Sequence, residues 1–202
     1  QIDEVVVSPK GDQFAVSGRG WASVFDASGT LLKTLIFDDL YLYRVLYTPD
    51  GNTLLYSAGK NVTALSARDF SVQRVFSGHA FDVRGLELSR DGKRMLTASG
   101  DNTLRLWNYD SGSTMRVFRS PAGSVSGQGL SRDGNYVTVV YDDGLALVYA
   151  MEGLNPISVR KAHTWNINSI AWSKDSSMIL TASGDGSAML TDADSSMLVF
   201  AM

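Results

Sequence analysis

Apolar and polar residues alternate over short runs along the whole chain, and each run ends in a cluster of turn-forming residues. The middle of the chain shows the pattern most clearly. Val83 to Ser89 places Val83, Leu86 and Leu88 near one face. Arg90-Asp91-Gly92-Lys93 is a turn, where the aspartate bonds its own backbone and the glycine accepts a positive φ. Arg94 to Ser99 is a second strand, and Gly100-Asp101-Asn102 turns the chain again. Thr103 to Trp107 alternates with a period of two and is a third strand; Thr114 to Arg119 is a fourth. Four strands joined by tight turns make an antiparallel meander. Such a sheet buries both faces only by stacking on neighbours.

The unit recurs. Ser8-Pro9-Lys10-Gly11, Thr48-Pro49-Asp50-Gly51, Ser89-Arg90-Asp91-Gly92, Ser131-Arg132-Asp133-Gly134 and Ser173-Lys174-Asp175-Ser176 end at 11, 51, 92, 134 and 176, in steps of 40, 41, 42 and 42. A period near forty with strand-like flanks predicts propeller blades rather than a helical array. The expected fold is therefore all-β: a β-propeller of four-stranded antiparallel blades, with one propeller region over 1–202. Its units fall at about 1–37, 38–77, 78–119, 120–161 and 162–202. Third strands are expected at Trp21–Phe25, Val62–Leu65, Thr103–Trp107, Leu145–Tyr149 and Ser187–Thr191. Trp172 matches Leu88 in register and is expected in the core, whereas Trp21 opens a third strand and is ambiguous.

The middle unit carries Gly78-His79 before its first strand, Asp101 in its second turn and Trp107-Asn108 closing its third strand. This pattern resembles the WD-repeat (WD40-type) β-propeller family. The resemblance implies a buried hydrogen-bonded quartet of His79, Thr97, Asp101 and Trp107. Each group is costly to bury alone, and the four are stable once mutually bonded. The last unit keeps His163, Thr181 and Asp185, with Thr191 in the tryptophan slot. Phe25-Asp26, Leu65-Ser66 and Tyr149-Ala150 fill that slot in the other units. The family usually builds rings of about six to eight blades. Five units therefore leave two readings, a piece of a larger ring or an unusual five-bladed closure, and the first is preferred because an open arc exposes apolar blade faces.

Composition narrows the function. The chain is 44% hydrophobic and 19% charged, with 18 basic and 21 acidic residues and no cysteine. A net charge of −3 offers no footprint for nucleic acid. Disulfides and thiolate metal sites are excluded. No run of about 18 apolar residues is present, so no membrane partner is expected. Location is not readable; the missing targeting segment and the degenerate repeats tilt the reading towards the cytoplasm.

Catalysis finds little to work with. The two histidines lie two unit lengths apart, at equivalent positions of different blades, and cannot share a metal. Asp38-Asp39 and Asp142-Asp143 are paired carboxylates that suit Ca²⁺ or acid–base work. Asp143-Gly144, however, occupies the turn slot of Asp101-Asn102, and Asp38 falls on a loop in the slot of His79. No cofactor or metal is expected, and no catalytic residue.

The resemblance implies a non-catalytic scaffold that binds a protein or peptide through the rim where the first strands begin. Register puts Asp3, Tyr41, Tyr43, Phe81, Arg84, Ser124, Ser126, Trp165 and Asn168 there. Aromatic residues and arginine dominate binding hot spots, so Tyr41, Tyr43, Phe81, Arg84, Trp165 and Asn168 are the candidate contacts. Packing against a neighbouring loop is the competing role for each aromatic ring. Two other functions stay open: a hydrolytic or ligand-sensing propeller with an acidic site at the channel mouth, and a targeting or sensor domain of a larger multidomain protein.

Overall fold

A computed structural model describes residues 1–37, 41–119, 125–151, 156–161, 163–193, 195 and 198–201. These residues form twenty strands and no helix. The first sheet comprises β1 (Glu4–Val7), β2 (Gln13–Gly18), β3 (Trp21–Asp26) and β4 (Leu31–Ile36). The second comprises β5 (Leu42–Tyr47), β6 (Thr53–Ala58), β7 (Asn61–Ser66) and β8 (Val72–Phe76). The third holds β9 (Val83–Leu88), β10 (Arg94–Ser99), β11 (Thr103–Asn108) and β12 (Thr114–Arg119). The fourth holds β13 (Val125–Leu130), β14 (Tyr136–Tyr141), β15 (Leu145–Ala150) and β16 (Pro156–Lys161), and the fifth β17 (Ile167–Trp172), β18 (Met178–Ser183), β19 (Ala188–Asp192) and β20 (Leu198–Ala201). Every sheet is an antiparallel meander in chain order. Strand ends differ from the expected ones by a residue or two. The fifth unit's third strand, for instance, opens at Ala188 because Ser187 caps Asp185 instead.

The recurring tetrapeptide owes its persistence to one hydrogen-bond pattern. In the third unit the Ser89 hydroxyl donates to Asp91 Oδ1 at 2.5 Å and accepts the Arg94 amide at 2.9 Å. Asp91 Oδ1 also accepts the Lys93 amide at 3.0 Å. Thr48 with Asp50, Ser131 with Asp133 and Ser173 with Asp175 repeat the arrangement. The fourth residue needs a left-handed backbone. Gly51, Gly92 and Gly134 adopt it freely, whereas Ser176 holds φ 62° without that freedom.

The core lies between sheets. Ala15, Val24, Val45 and Leu54 pack between the first and second sheets; Leu55, Phe76, Leu86 and Trp107 between the second and third; Leu96, Phe118, Val139 and Tyr149 between the third and fourth. A bulge between Ala98 and Ser99 shifts the register of β9, which lets Val83 and Leu86, three apart, join one cluster. Trp172 departs from its expected full burial. It is half-buried at the edge of a small cluster with Val148 and Ile179, its ring stacked on Tyr136 at 5.8 Å. Trp21 is also half-buried.

Candidate functional site: a polar quartet behind an aromatic rim

Two residues after each histidine an aromatic ring stands in solvent, and the histidine loop holds it there. His79 precedes β9 and points back into the third sheet. Its Nε2 meets Thr97 Oγ1 at 2.8 Å and its Nδ1 meets Asp101 Oδ2 at 3.0 Å. The Trp107 indole N–H donates to the same Thr97 hydroxyl at 2.9 Å. Asp101 Oδ2 also accepts the Ala80 amide at 2.8 Å, and Oδ1 accepts the Thr103 hydroxyl at 2.6 Å. Burial opposes ionisation of Asp101, but the Thr103 hydroxyl, the Ala80 amide and His79 outweigh it and hold the carboxyl at about 2. Burial depresses the His79 imidazole, with Asp101 only partly offsetting it. The pair is therefore a fixed dipolar brace, with no exposed base to offer a substrate.

His163 repeats this with one substitution. Its Nε2 meets Thr181 at 2.9 Å, and its Nδ1 meets Ser187 at 2.9 Å and Asp185 at 3.3 Å. Thr191, in the tryptophan slot, bonds only the Ile179 carbonyl at 3.5 Å.

The braced loops present Phe81 and Trp165, each 63% exposed. The Ser99 hydroxyl donates to the Phe81 carbonyl at 2.8 Å, whereas the Ser183 hydroxyl donates to the Asn166 carbonyl at 2.9 Å, with the Trp165 carbonyl 3.2 Å away. Sequence reasoning missed these serines and the Thr103 and Ser187 hydroxyls. Their signal was available: serine stands two before each quartet aspartate, and a hydroxyl two after.

The other rim candidates differ in freedom. Tyr41 is exposed beneath the Arg19 guanidinium, 4.9 Å from the ring centre. Tyr43 is half-buried, its ring tilted against Tyr41 at 5.9 Å, and donates its hydroxyl to Asp82 at 3.2 Å. Arg84 and Asn168 are exposed. A 340 Å³ groove between the third and fourth sheets is lined by Arg84, Asn102, Ser126, Gln128 and Asp142. Gly85 forms part of its wall, and the Gln128 side chain packs so close that a Cβ at Gly85 would sit 2.2 Å from its amide nitrogen. Asp143 Oδ1 accepts the Leu145 amide at 3.0 Å in its turn. Asp38, Asp39 and Ser124 lie outside the described residues. Among the described residues, no three His, Asp or Glu side chains gather in a way that would hold a metal. Among the described residues no helix is long and apolar enough to cross a membrane.

The family model for the WD domain, G-beta repeat, matches residues 70–108 and 154–192, which contain the third strands and quartet residues of the third and fifth units. Cilia- and flagella-associated protein 52 of Chlamydomonas reinhardtii is 29% identical over 115 residues, covering 55% of this chain and 18% of that protein. WD repeat-containing protein 36 of Homo sapiens is 28% identical over 109 residues, 48% of this chain and 12% of that one. The tRNA (guanine-N(7)-)-methyltransferase non-catalytic subunit wuho of Drosophila grimshawi is 39% identical over 74 residues, 35% of this chain and 19% of that one. The chain thus spans less than a fifth of the length of each of these relatives. A chain in the crystal structure of the mitotic checkpoint complex superposes with a TM-score of 0.87 at 18% identity, over 100% of this chain and 63% of that one, a likeness of fold. Repeats of this kind typically build protein-interaction scaffolds and are generally non-catalytic. Two of its five units match the WD-repeat model, and the chain folds, like the propellers of that family, as stacked four-stranded antiparallel sheets.

Proposed function

We propose that this chain is a non-catalytic scaffold that captures a protein or peptide across the rim bearing Tyr41, Tyr43, Phe81, Arg84, Trp165 and Asn168. One observation carries the reading. Phe81 and Trp165 occupy equivalent positions two units apart, each mostly exposed and each on a loop held by a serine hydroxyl, Ser99 at the Phe81 carbonyl and Ser183 at the adjoining Trp165 and Asn166 carbonyls. A large ring held rigidly in water has already lost its backbone freedom, so binding to it costs less entropy. Arg84 and Asn168 add polar groups beside these rings.

The test is affinity capture from cells expressing the full-length protein, comparing wild type with Phe81→Ala/Trp165→Ala and with Val75→Ala, an exposed position on β8. Loss of the same co-purifying proteins in the rim double variant alone, with unchanged circular dichroism, is expected. Undiminished capture by the folded double variant removes the proposed site.

A further inference from the structure

We propose that the seam between the fourth and fifth sheets binds a small monovalent anion of halide size, held by Arg160 and Thr138. The argument comes from comparing equivalent seams. Between the second and third sheets, Phe76 of β8 meets Trp107 edge-on at 5.8 Å. Between the third and fourth, Phe118 of β12 meets Tyr149 at 4.9 Å. Register identifies the next pair without ambiguity. Phe76, Phe118 and Arg160 pair with Val62, Leu104 and Ala146 of their own third strands. Trp107, Tyr149 and Thr191 pair with Met95, Val137 and Ile179. At the last seam, then, both aromatic rings are gone together. A third position changes with them: Leu55 and Leu96, which pair with Leu46 and Glu87 of the first strands, give way to Thr138, which pairs with Gly129.

The result is a small chamber of 20 Å³ lined by Thr138, Arg160, Thr181 and Thr191 among others. Nη1 of Arg160 and Oγ1 of Thr138 are both shut off from solvent, and neither has a hydrogen-bond partner among the described residues. No carboxylate among those residues forms an ion pair with Arg160. Asp192 also borders the chamber, but its Oδ1 accepts the Ser195 amide and hydroxyl, both at 2.8 Å, in the turn beyond β19. The hydroxyls of Thr181 and Thr191 are directed at the Met189 and Ile179 carbonyls.

Arg160 as a residue is half-buried, but its Nη1 is withdrawn from water, and a charged donor in that position is best matched by an anionic acceptor. Water supplies the acceptor but not the charge. A chamber of this size admits roughly one water-sized body, so phosphate and carboxylate ligands are too large. A halide accepting from Arg160 and from the Thr138 hydroxyl satisfies both groups, and takes over the joining role that paired rings play at the second and third seams and that Leu35 and Leu65 fill at the first.

Two measurements test the site. Crystals of the protein grown in sodium bromide are expected to show an anomalous peak in the seam, within hydrogen-bond reach of Arg160 Nη1. Thermal unfolding in sodium chloride is expected about 2–4 °C above that in sodium gluconate at matched ionic strength. The double variant Arg160→Phe/Thr191→Trp, which rebuilds the pairing of the second and third units, is expected to fold and to lose this chloride response. Thr138→Val is expected to reduce it. A seam without bromide, or a chloride response undiminished in the folded double variant, overturns the proposal.

Discussion

Two carboxylates show how the same contact gives opposite outcomes when solvent differs. Asp101 and Glu87 each accept a backbone amide, from Ala80 and from Leu130, both at 2.8 Å. Asp101 gains further donors from Thr103 and His79 and stays ionised. Burial instead pushes Glu87 up to about 7, only partly offset by the Leu130 amide and the charge of Arg44. A group whose folded pKa lies above its unfolded value, 4.5 here, stabilises the fold fully below that value. That contribution fades as the pH rises through 7. His79 acts in the opposite sense: its depressed pKa means that stability falls as the pH drops below 6.5. The difference between wild type and Glu87→Gln isolates the glutamate, since glutamine still offers an oxygen to Leu130. Relative to the variant, wild type is expected to lose about 1–3 kcal/mol between pH 4.5 and 8, measured by urea unfolding at several pH values. A constant difference would show that Glu87 ionises as freely as in the unfolded chain.

At the scale of the element, the turns explain why so much of the fold was readable. Ser-x-Asp-Gly is a local device: hydroxyl, carboxylate and a left-handed backbone within a few residues, needing nothing from the rest of the chain. Its period announced the blade, and alternation on either side announced the strands. The quartet was readable for the same reason, since His79, Thr97, Asp101 and Trp107 hold fixed offsets within one unit. Bulges were not readable, because the shift between Ala98 and Ser99 answers to the packing of Val83 against the neighbouring sheet. The Arg160 seam was not readable either, since it joins residues of two units. Gly144 shows a turn that tertiary contact has tightened. Its φ is +83°, and an added Cβ would lie 2.1 Å from the His163 carbonyl oxygen, which is backbone and cannot swing aside. Gly29 has a similar φ of +88° with open space around it. Gly29→Ala is therefore expected to cost about 1 kcal/mol, the left-handed strain alone, and Gly144→Ala at least about 3 kcal/mol, as read by thermal unfolding. Equal costs would mean that the loop carrying His163 moves freely.

Across the whole molecule, four seams bury apolar residues and two outer faces do not. Inner strands pack in succession, β1 on β5, β5 on β9, β9 on β13 and β13 on β17. On the fifth sheet a cross-strand row of Ala171, Leu180, Leu190 and Phe200 runs over the face turned away from the fourth, and Leu180 and Phe200 are exposed. The first sheet offers Val5 and Val7, also exposed, the latter opposite Phe14, whose ring stacks on Phe25 at 5.2 Å. The equivalent of Leu180 in the third sheet is Leu96, fully buried against the fourth. Contiguous apolar faces of this kind drive association in water, at roughly 25 cal/mol per Å² covered. The 202-residue chain expressed alone is accordingly expected to self-associate in light scattering after size exclusion. Leu180→Lys with Val5→Lys places a charge on each open face while leaving the four seams untouched. That double variant is expected to shift the chain towards monomer without lowering its unfolding temperature by more than about 2 °C, since exposed positions contribute little to the folded core. A wild-type chain that is monomeric at high concentration would show that these faces are covered within the molecule.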